Sequence, residues 1–118
     1  MTSYEERVAS LAQSIGTADG SGIRLSKRTS NLFRDRAPGA RNRLDASAFD
    51  HVIEVNQRDG WVDVEGMVIF EKLVDETLRH GVMPAVVPQL KSITIGGAVA
   101  GVGIEATSFR HGLVHESL

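Results

Sequence analysis

Apolar residues recur at helical spacing in two stretches of the chain. The first stretch, 4–15, ends before Gly16 and predicts a short amphipathic helix, with apolar positions at Val8, Leu11, Ala12 and Ile15. The second stretch, 68–80, ends before Gly81 and predicts a helix with one face at Ile69, Leu73, Thr77 and Leu78. Two charge pairs at i, i+4 spacing are expected to support the second helix: Lys72 with Glu76, and Asp75 with Arg79.

Alternating apolar and polar residues predict the extended segments. Ile23 and Leu25 indicate a short strand. The segments 51–56 and 61–65 both alternate, and the Asp-Gly pair between them predicts a hairpin turn. Further along, two prolines in VMPAVVPQL favour extended backbone, and a short strand is predicted over 91–95.

The composition is that of an ordinary globular domain, with 118 residues, 42% hydrophobic and 24% charged. We divide the chain into an amino-terminal helix and linker, 1–21, and one domain, 22–118, because TADGSG is typical of a flexible connection. The absence of cysteine excludes disulfides, thiolate metal sites and a cysteine nucleophile. Without an apolar run of about 20 residues or a basic leader, the protein is expected to be cytoplasmic and without a membrane span.

Positive charge is concentrated in one segment although the chain as a whole carries a net charge of -2. Residues 24–43 contain seven Lys and Arg and one Asp, a local charge of +6. Such a segment is either a solvated loop or a phosphate site, and the hydroxyl and amide donors of the R-T-S-N sequence at 28–31 favour the second interpretation. Nucleic acid is not the expected partner, because aromatic residues are few and the net charge is negative.

A glycine-dense segment, GGAVAGVGIE, occupies 96–105. Its order, G-G-x-x-x-G-x-G, differs from the dinucleotide fingerprint and from the P-loop. Glycine permits close approach of backbone to a phosphate or ring, but the same residues also suit a buried strand and helix that pack through small side chains. Both interpretations stay open at the level of spacing.

Three other patterns are expected to have no catalytic or metal-binding role. His111 and His115 lie at i, i+4 spacing without the H-E-x-x-H glutamate, so a metal site is not expected. A hydrolase constellation of Ser108, His111 and Glu116 lacks the G-x-S-x-G turn. Trp61 lies within a predicted strand and is expected to be a packing residue.

Several ordered segments together resemble the flavin-binding domain of the vanillyl-alcohol oxidase and p-cresol methylhydroxylase (PCMH-type) superfamily, nearest its delta-24-sterol reductase-like branch. The segments are RLSKRTSNLFR, DHVIEVN, GWVDVEGM, LRHGVMP and VVPQLKSITIGGAVAGVGIEATSFRHGL. The most specific part is P-x-L-x-x-x-T-I-G-G-x-x-x-G-x-G-I-E, from Pro88 to Glu105. The resemblance covers about 22–118.

The resemblance implies an α+β fold in which FAD lies between two subdomains, with this chain forming the first and stopping before the second. It implies that one loop contacts the pyrophosphate, through Lys27, Arg28, Thr29, Ser30, Asn31, Leu32 and Phe33. It implies that a second group approaches the ribityl chain and flavin by backbone: Thr94, Ile95, Gly96 and Gly97. The remaining wall of the cofactor site would be formed by Pro88, Gly101, Gly103, Ile104 and Glu105.

The implied function is an oxidoreductase that moves a hydride between FAD and an organic, hydrophobic substrate, with a sterol-like molecule as one candidate. FAD is expected to be noncovalent, because 27–34 contains no His and the chain has no Cys. Relatives place Ser or Thr where this chain has Val68 and Ile69, so the helix that follows is expected to lack a capping hydroxyl worth about 1 kcal/mol.

The family's flavin domain continues beyond the segment that matches 109–118, so the chain is expected to be an inactive fragment by itself. Catalytic residues are therefore left unassigned. The alternative function is a folded, inactive module that forms a homo-oligomer through the exposed face of its subdomain.

Overall fold

The computed structural model describes residues 2–26 and 42–118, and the chain forms two compact units, Met1–Ala48 and Phe49–Leu118. Helices and two small sheets make up the described residues, which confirms the α+β class. The elements are α1 (Tyr4–Gly16), β1 (Ile23–Leu25), β2 (Asn42–Leu44), β3 (Val52–Asn56), β4 (Trp61–Val64), α2 (Phe70–Arg79), α3 (Ile95–Ala100), α4 (Ser108–His111) and a 3-10 turn (Val114–Ser117). The division predicted between residues 21 and 22 stays a prediction.

In the first unit, α1 begins at a capping box. Ser3 Oγ accepts from the backbone N–H of Glu6 at 3.2 Å, and the Glu6 carboxylate accepts from the N–H of Ser3 at 2.7 Å. The helix ends at Gly16, as its apolar spacing predicted.

The strand predicted at Ile23 and Leu25 is β1, which pairs in parallel with β2. Asn42 stabilises one end of this strand pair, because its side-chain amide donates to Asp19 Oδ1 at 2.8 Å and to Gly22 O at 3.1 Å. Hydrogen bonds from Ser21 and then Asn42 hold the pKa of Asp19 below its ordinary value.

In the second unit, β3 and β4 form the predicted antiparallel hairpin. Gly60 adopts φ +72° in the turn, a conformation that favours glycine, and its N–H donates to Asn56 O at 2.9 Å. Asn56 Oδ1 accepts from the N–H of Asp59 at 2.9 Å, so the turn residues satisfy one another.

Helix α2 begins two residues later than predicted, because Ile69 is the extended N-cap residue and Val68 follows a turn. Ile69 occupies the N-cap without a side-chain hydrogen bond, which confirms that the capping hydroxyl is missing. The predicted ion pairs are wrong: Arg79 pairs with Glu76 at 2.9 Å, and Lys72 lies 3.5 Å from Asp50 outside the helix. Leu78, predicted on the apolar face, is 56% exposed.

A small apolar core holds the second unit together, and Val68 is fully buried within it. Its other buried members are Phe70, Leu73, Val86, Ala98 and Val114. Val68, two residues before α2, thus belongs to one core with side chains from α2, α3 and the 3-10 turn.

The strand predicted over 91–95 is wrong. Only Thr94 makes a β-type pairing in this stretch, an isolated bridge with Ile69, and α3 begins at the next residue. The reason is local: Thr94 Oγ1 accepts from the N–H of Gly97 at 3.1 Å, so the hydroxyl starts a helix where the apolar alternation suggested extended chain.

Candidate functional site

The predicted site residues fall into two groups. The pyrophosphate loop, Lys27 to Phe33, lies outside the described residues. All the others lie in the second unit, from Pro88 to Glu105. The structure therefore describes the glycine-dense wall of the candidate site.

Five residues between β4 and α2, 65–69, form a connection that we call the strap, and it contains a turn in which the N–H of Val68 donates to Glu65 O at 3.1 Å. On one side, the N–H of Met67 donates to Phe49 O at 3.0 Å and that of Glu65 donates to His51 O at 2.9 Å. On the other side, Gly66 O accepts from the N–H of Gly96 at 2.8 Å. The strap thereby joins the hairpin end to the first turn of α3.

The first turn of α3 is held entirely by internal acceptors. The N–H of Ile95 donates to Val68 O at 2.8 Å, that of Gly96 to Gly66 O, and that of Gly97 to Thr94 Oγ1. Thr94 itself is buried, with 6% of its surface exposed. Contact of this turn with a ligand would therefore use Cα and carbonyl groups, since these three donors are already engaged.

Gly96 has a packing requirement of its own. A Cβ at this position would lie 3.0 Å from Gly66 O and 3.6 Å from Gly66 C, both backbone atoms. Glycine at 96 therefore allows two backbone segments to touch. Such packing through small residues is one of the two interpretations that the glycine spacing left open.

Gly101 and Gly103 are also confined by the fold. A Cβ on Gly101 would lie 2.9 Å from Gly97 O, and one on Gly103 would lie 3.3 Å from a methyl group of Val114. Between them, Val102 has φ 53°, a left-handed conformation that is strained for a β-branched residue. The wall is thus compact, with a conformation at 102 that its own side chain disfavours.

Glu105 connects the glycine segment to the extended stretch that contains Pro88. Its carboxylate accepts from the N–H of Gln89 at 3.3 Å, and its own N–H donates to Ser108 Oγ at 2.8 Å. Pro88 is buried, whereas Ile104 is 75% exposed. The structure therefore brings Pro88 and Glu105 to one place and leaves an apolar side chain open beside the glycines.

Sequence reasoning missed the strap and the buried carboxylate at its start. Glu65 is 7% exposed, and its Oε2 lies 2.9 Å from the N of His51 and 2.7 Å from His51 Nδ1. The strand pattern carries no signal for this burial, because Glu65 continues the alternation of Val62, Asp63 and Val64 at a position expected to face solvent.

A cavity of about 580 Å³ lies in the second unit. Trp61, Phe70, Met83 and Val99 are among its mostly apolar lining residues, and of the predicted cofactor residues that the structure describes only Ile95 reaches it. Trp61 is 46% exposed, so it packs less completely than predicted. The cavity and the glycine wall share residues of α3, Ile95 and Val99.

The part of the chain that the structure describes contains neither a cluster of metal ligands nor a membrane-spanning helix. In 2–26 and 42–118, no three His, Asp or Glu side chains gather as metal ligands would. Over the same ranges, each helix is too short or too polar to cross a membrane.

Comparison with known proteins identifies the family to which the chain belongs. Residues 9–118 match the model of a family described as FAD binding domain. The chain is 28% identical to Delta(24)-sterol reductase of Pisum sativum over 75 residues, which are 64% of this chain. It is 34% identical to Cytokinin dehydrogenase 10 of Oryza sativa subsp. japonica over 62 residues, which are 52% of this chain. These matches span 13% and 11% of the two relatives, so the chain covers a small part of their length. No solved structure matches the chain.

Proposed function

Because the chain belongs to the FAD binding domain family, we propose that it forms one part of the FAD site of a flavin-dependent oxidoreductase. The observation that carries this proposal is the family match itself, which extends from α1 through the 3-10 turn and includes the whole glycine wall. The names of two relatives, a reductase and a dehydrogenase, support the redox class.

The described residues fit one side of a flavin. Gly101 and Gly103 present backbone without side chains, and next to them Val102 and Ile104 are 50% and 75% exposed. An isoalloxazine ring needs apolar contact and close backbone, and this segment offers both. We place Pro88 and Glu105 behind this wall, where Glu105 ties the two segments together through Gln89.

The pyrophosphate is assigned to the loop 27–33 on charge and donor chemistry. Lys27 and Arg28 bring positive charge, and the hydroxyl and amide groups of 29–31 bring additional donors. The first turn of α3, 94–97, is proposed to meet the ribityl chain and flavin through its Cα and carbonyl groups. FAD is proposed to bind without a covalent link, because the chain has no Cys and 27–34 has no His.

FAD, when bound, would supply hydride transfer, and this chain would bind and orient it. The substrate is proposed to be a hydrophobic organic molecule, with a sterol-like compound suggested by the name of the pea relative. A cytoplasmic location and a PCMH-type first subdomain belong to the same proposal.

The loop assignment is tested by Arg28→Ala, with Arg43→Ala as a control that removes the same charge from strand β2. Loss of a charged hydrogen-bond donor to phosphate is expected to weaken FAD binding about tenfold or more for Arg28→Ala. Arg43→Ala is expected to change the dissociation constant less than about twofold, the scale of screened surface charge. Equal effects of the two substitutions on FAD affinity would contradict the assignment.

The second candidate function, a self-associating inactive module, is favoured by one observation, the open apolar cavity. Met83 and Leu118 line it and are 60% and 85% exposed. Sedimentation of the wild-type chain and of Met83→Lys tests this function, with Ile53→Lys as a control at a 56% exposed position outside the lining. Self-association that only Met83→Lys removes would support it, and a wild-type monomer at high concentration would refute it.

A further inference from the structure

We propose that Glu65 and His51 are positioning residues of the candidate cofactor site, because their contact fixes the strap that holds the first turn of α3. The identity of the ligand in this inference depends on the proposed function. The mechanical link from His51 to Gly96 stands on geometry alone.

Glu65 is placed by an arrangement that few other side chains could reproduce. Its buried Oε2 accepts from the backbone N–H of His51 at 2.9 Å and lies 2.7 Å from His51 Nδ1, so one carboxylate oxygen faces two donors. The N–H of Glu65 donates to His51 O at 2.9 Å, which closes a reciprocal pair at the hairpin end. Burial of a carboxylate is costly unless such bonds are made, so its position is tightly defined.

Charged groups around His51 strengthen this definition. His51 Nδ1 lies 3.7 Å from Asp50 Oδ1, and Lys72 of α2 lies 3.5 Å from the other oxygen of Asp50. Lys72 also donates to Asp50 O. The imidazole, with its side chain 43% exposed, therefore stands between two carboxylates, of which only Glu65 is buried.

Backbone hydrogen bonds and close contacts of the strap connect Glu65 to α3. Directly after Glu65, Gly66 O accepts from Gly96, and its backbone is so close that a Cβ on Gly96 would lie only 3.0 Å away. Two residues later, Val68 is fully buried, and its carbonyl accepts from Ile95 at 2.8 Å. A displacement of Glu65 must therefore move the acceptors of α3 or break their bonds.

The test measures amide hydrogen exchange in the chain without FAD, for Glu65→Gln and for the matched control Glu54→Gln at an exposed site on β3. Glu65→Gln is expected to speed exchange at Ile95 and Gly96 about tenfold, the effect of weakening a charged hydrogen bond, and to leave Thr77 of α2 within about twofold. Glu54→Gln is expected to change none of these amides.

A second pair of variants tests the partner and covers the case in which Glu65→Gln does not fold. His51→Ala is expected to speed exchange at Ile95 and Gly96, and His51→Gln, which restores a side-chain donor, is expected to return it toward the wild-type rate. If exchange rises equally at Thr77, Glu65 and His51 contribute to the stability of the whole unit and not specifically to α3, and the proposal is overturned. Unchanged exchange at Ile95 and Gly96 would overturn it as well.

FAD titration separates this inference from the proposed function. If the chain binds FAD, the variants that displace Ile95 and Gly96 are expected to bind it about fivefold or more weakly, because the displaced turn no longer presents its Cα and carbonyl groups to the flavin in the same geometry. If wild-type chain with the expected exchange pattern takes up no FAD, the proposed function fails while the positioning role of Glu65 and His51 stands.

Discussion

Gly96→Ala is expected to destabilise the second unit, although alanine is the better helix former. Replacing glycine in α3 gains about 1 kcal/mol of helix propensity. Against this, the new Cβ would lie 3.0 Å from Gly66 O, 3.6 Å from its carbonyl carbon and 3.7 Å from its Cα. These are backbone atoms of a strap fixed at both ends, so they cannot turn aside as a flexible side chain would.

The magnitude follows from two costs. Overpacking of this kind costs about 1–3 kcal/mol. Lengthening the 2.8 Å bond from Gly96 N to Gly66 O removes part of an interaction worth about 0.5–1.5 kcal/mol. After the gain in propensity, the net loss is about 1–2 kcal/mol, and each kcal/mol lowers Tm by about 4–8 °C in a unit of this size.

The same pair of glycines provides the control. A Cβ on Gly66 would lie 3.9 Å from Gly96 Cα, an ordinary contact, so Gly66→Ala is expected to change stability by less than about 0.5 kcal/mol. Urea denaturation followed by circular dichroism measures both variants. If Gly96→Ala proves as stable as Gly66→Ala, close packing is not the reason for glycine at 96.

Two further predictions concern backbone strain and pH. Val102→Asn is expected to raise the free energy of unfolding by about 0.5–1 kcal/mol, because asparagine tolerates the left-handed conformation found at φ 53°. The control Val102→Ile is expected to leave the free energy of unfolding unchanged. Equal unfolding midpoints of the two variants would contradict the assignment of strain to this residue. In the first unit, Asn42→Ala is expected to raise the lowered pKa of Asp19 toward its ordinary value, as followed by NMR of the carboxyl carbon, while Ser21 keeps part of the shift. Because the folded pKa lies below the unfolded one, this carboxylate stabilises the fold above its unfolded pKa and loses that contribution as pH falls through the folded pKa; an unchanged pKa in Asn42→Ala would refute the assigned cause.

Local patterns were sufficient to predict α1, most of α2 and the hairpin. The spacing of Val8, Leu11 and Ile15 gave α1 almost to its last residue, and the Asp-Gly turn gave β3 and β4. Both depend on contacts between residues that are near in sequence, which is why the pattern alone could find them.

Features that depend on distant residues were missed or misassigned. Ile69 is extended because it pairs with Thr94 on another segment, and the apolar spacing of 68–80 contains no sign of that contact. Thr94 was placed in a strand because its role as a cap depends on the turn that follows. The contact of Gly96 with Gly66, thirty residues earlier, has no signature in spacing.

Flavin content tests the central claim most directly. The protein is expressed from its own gene, purified and dialysed against FAD, and it is predicted to hold about one FAD per chain. Denaturation is predicted to release the yellow absorbance into solution, because the proposed link is noncovalent. A folded protein that retains no flavin under these conditions would contradict the assignment of the glycine wall to FAD.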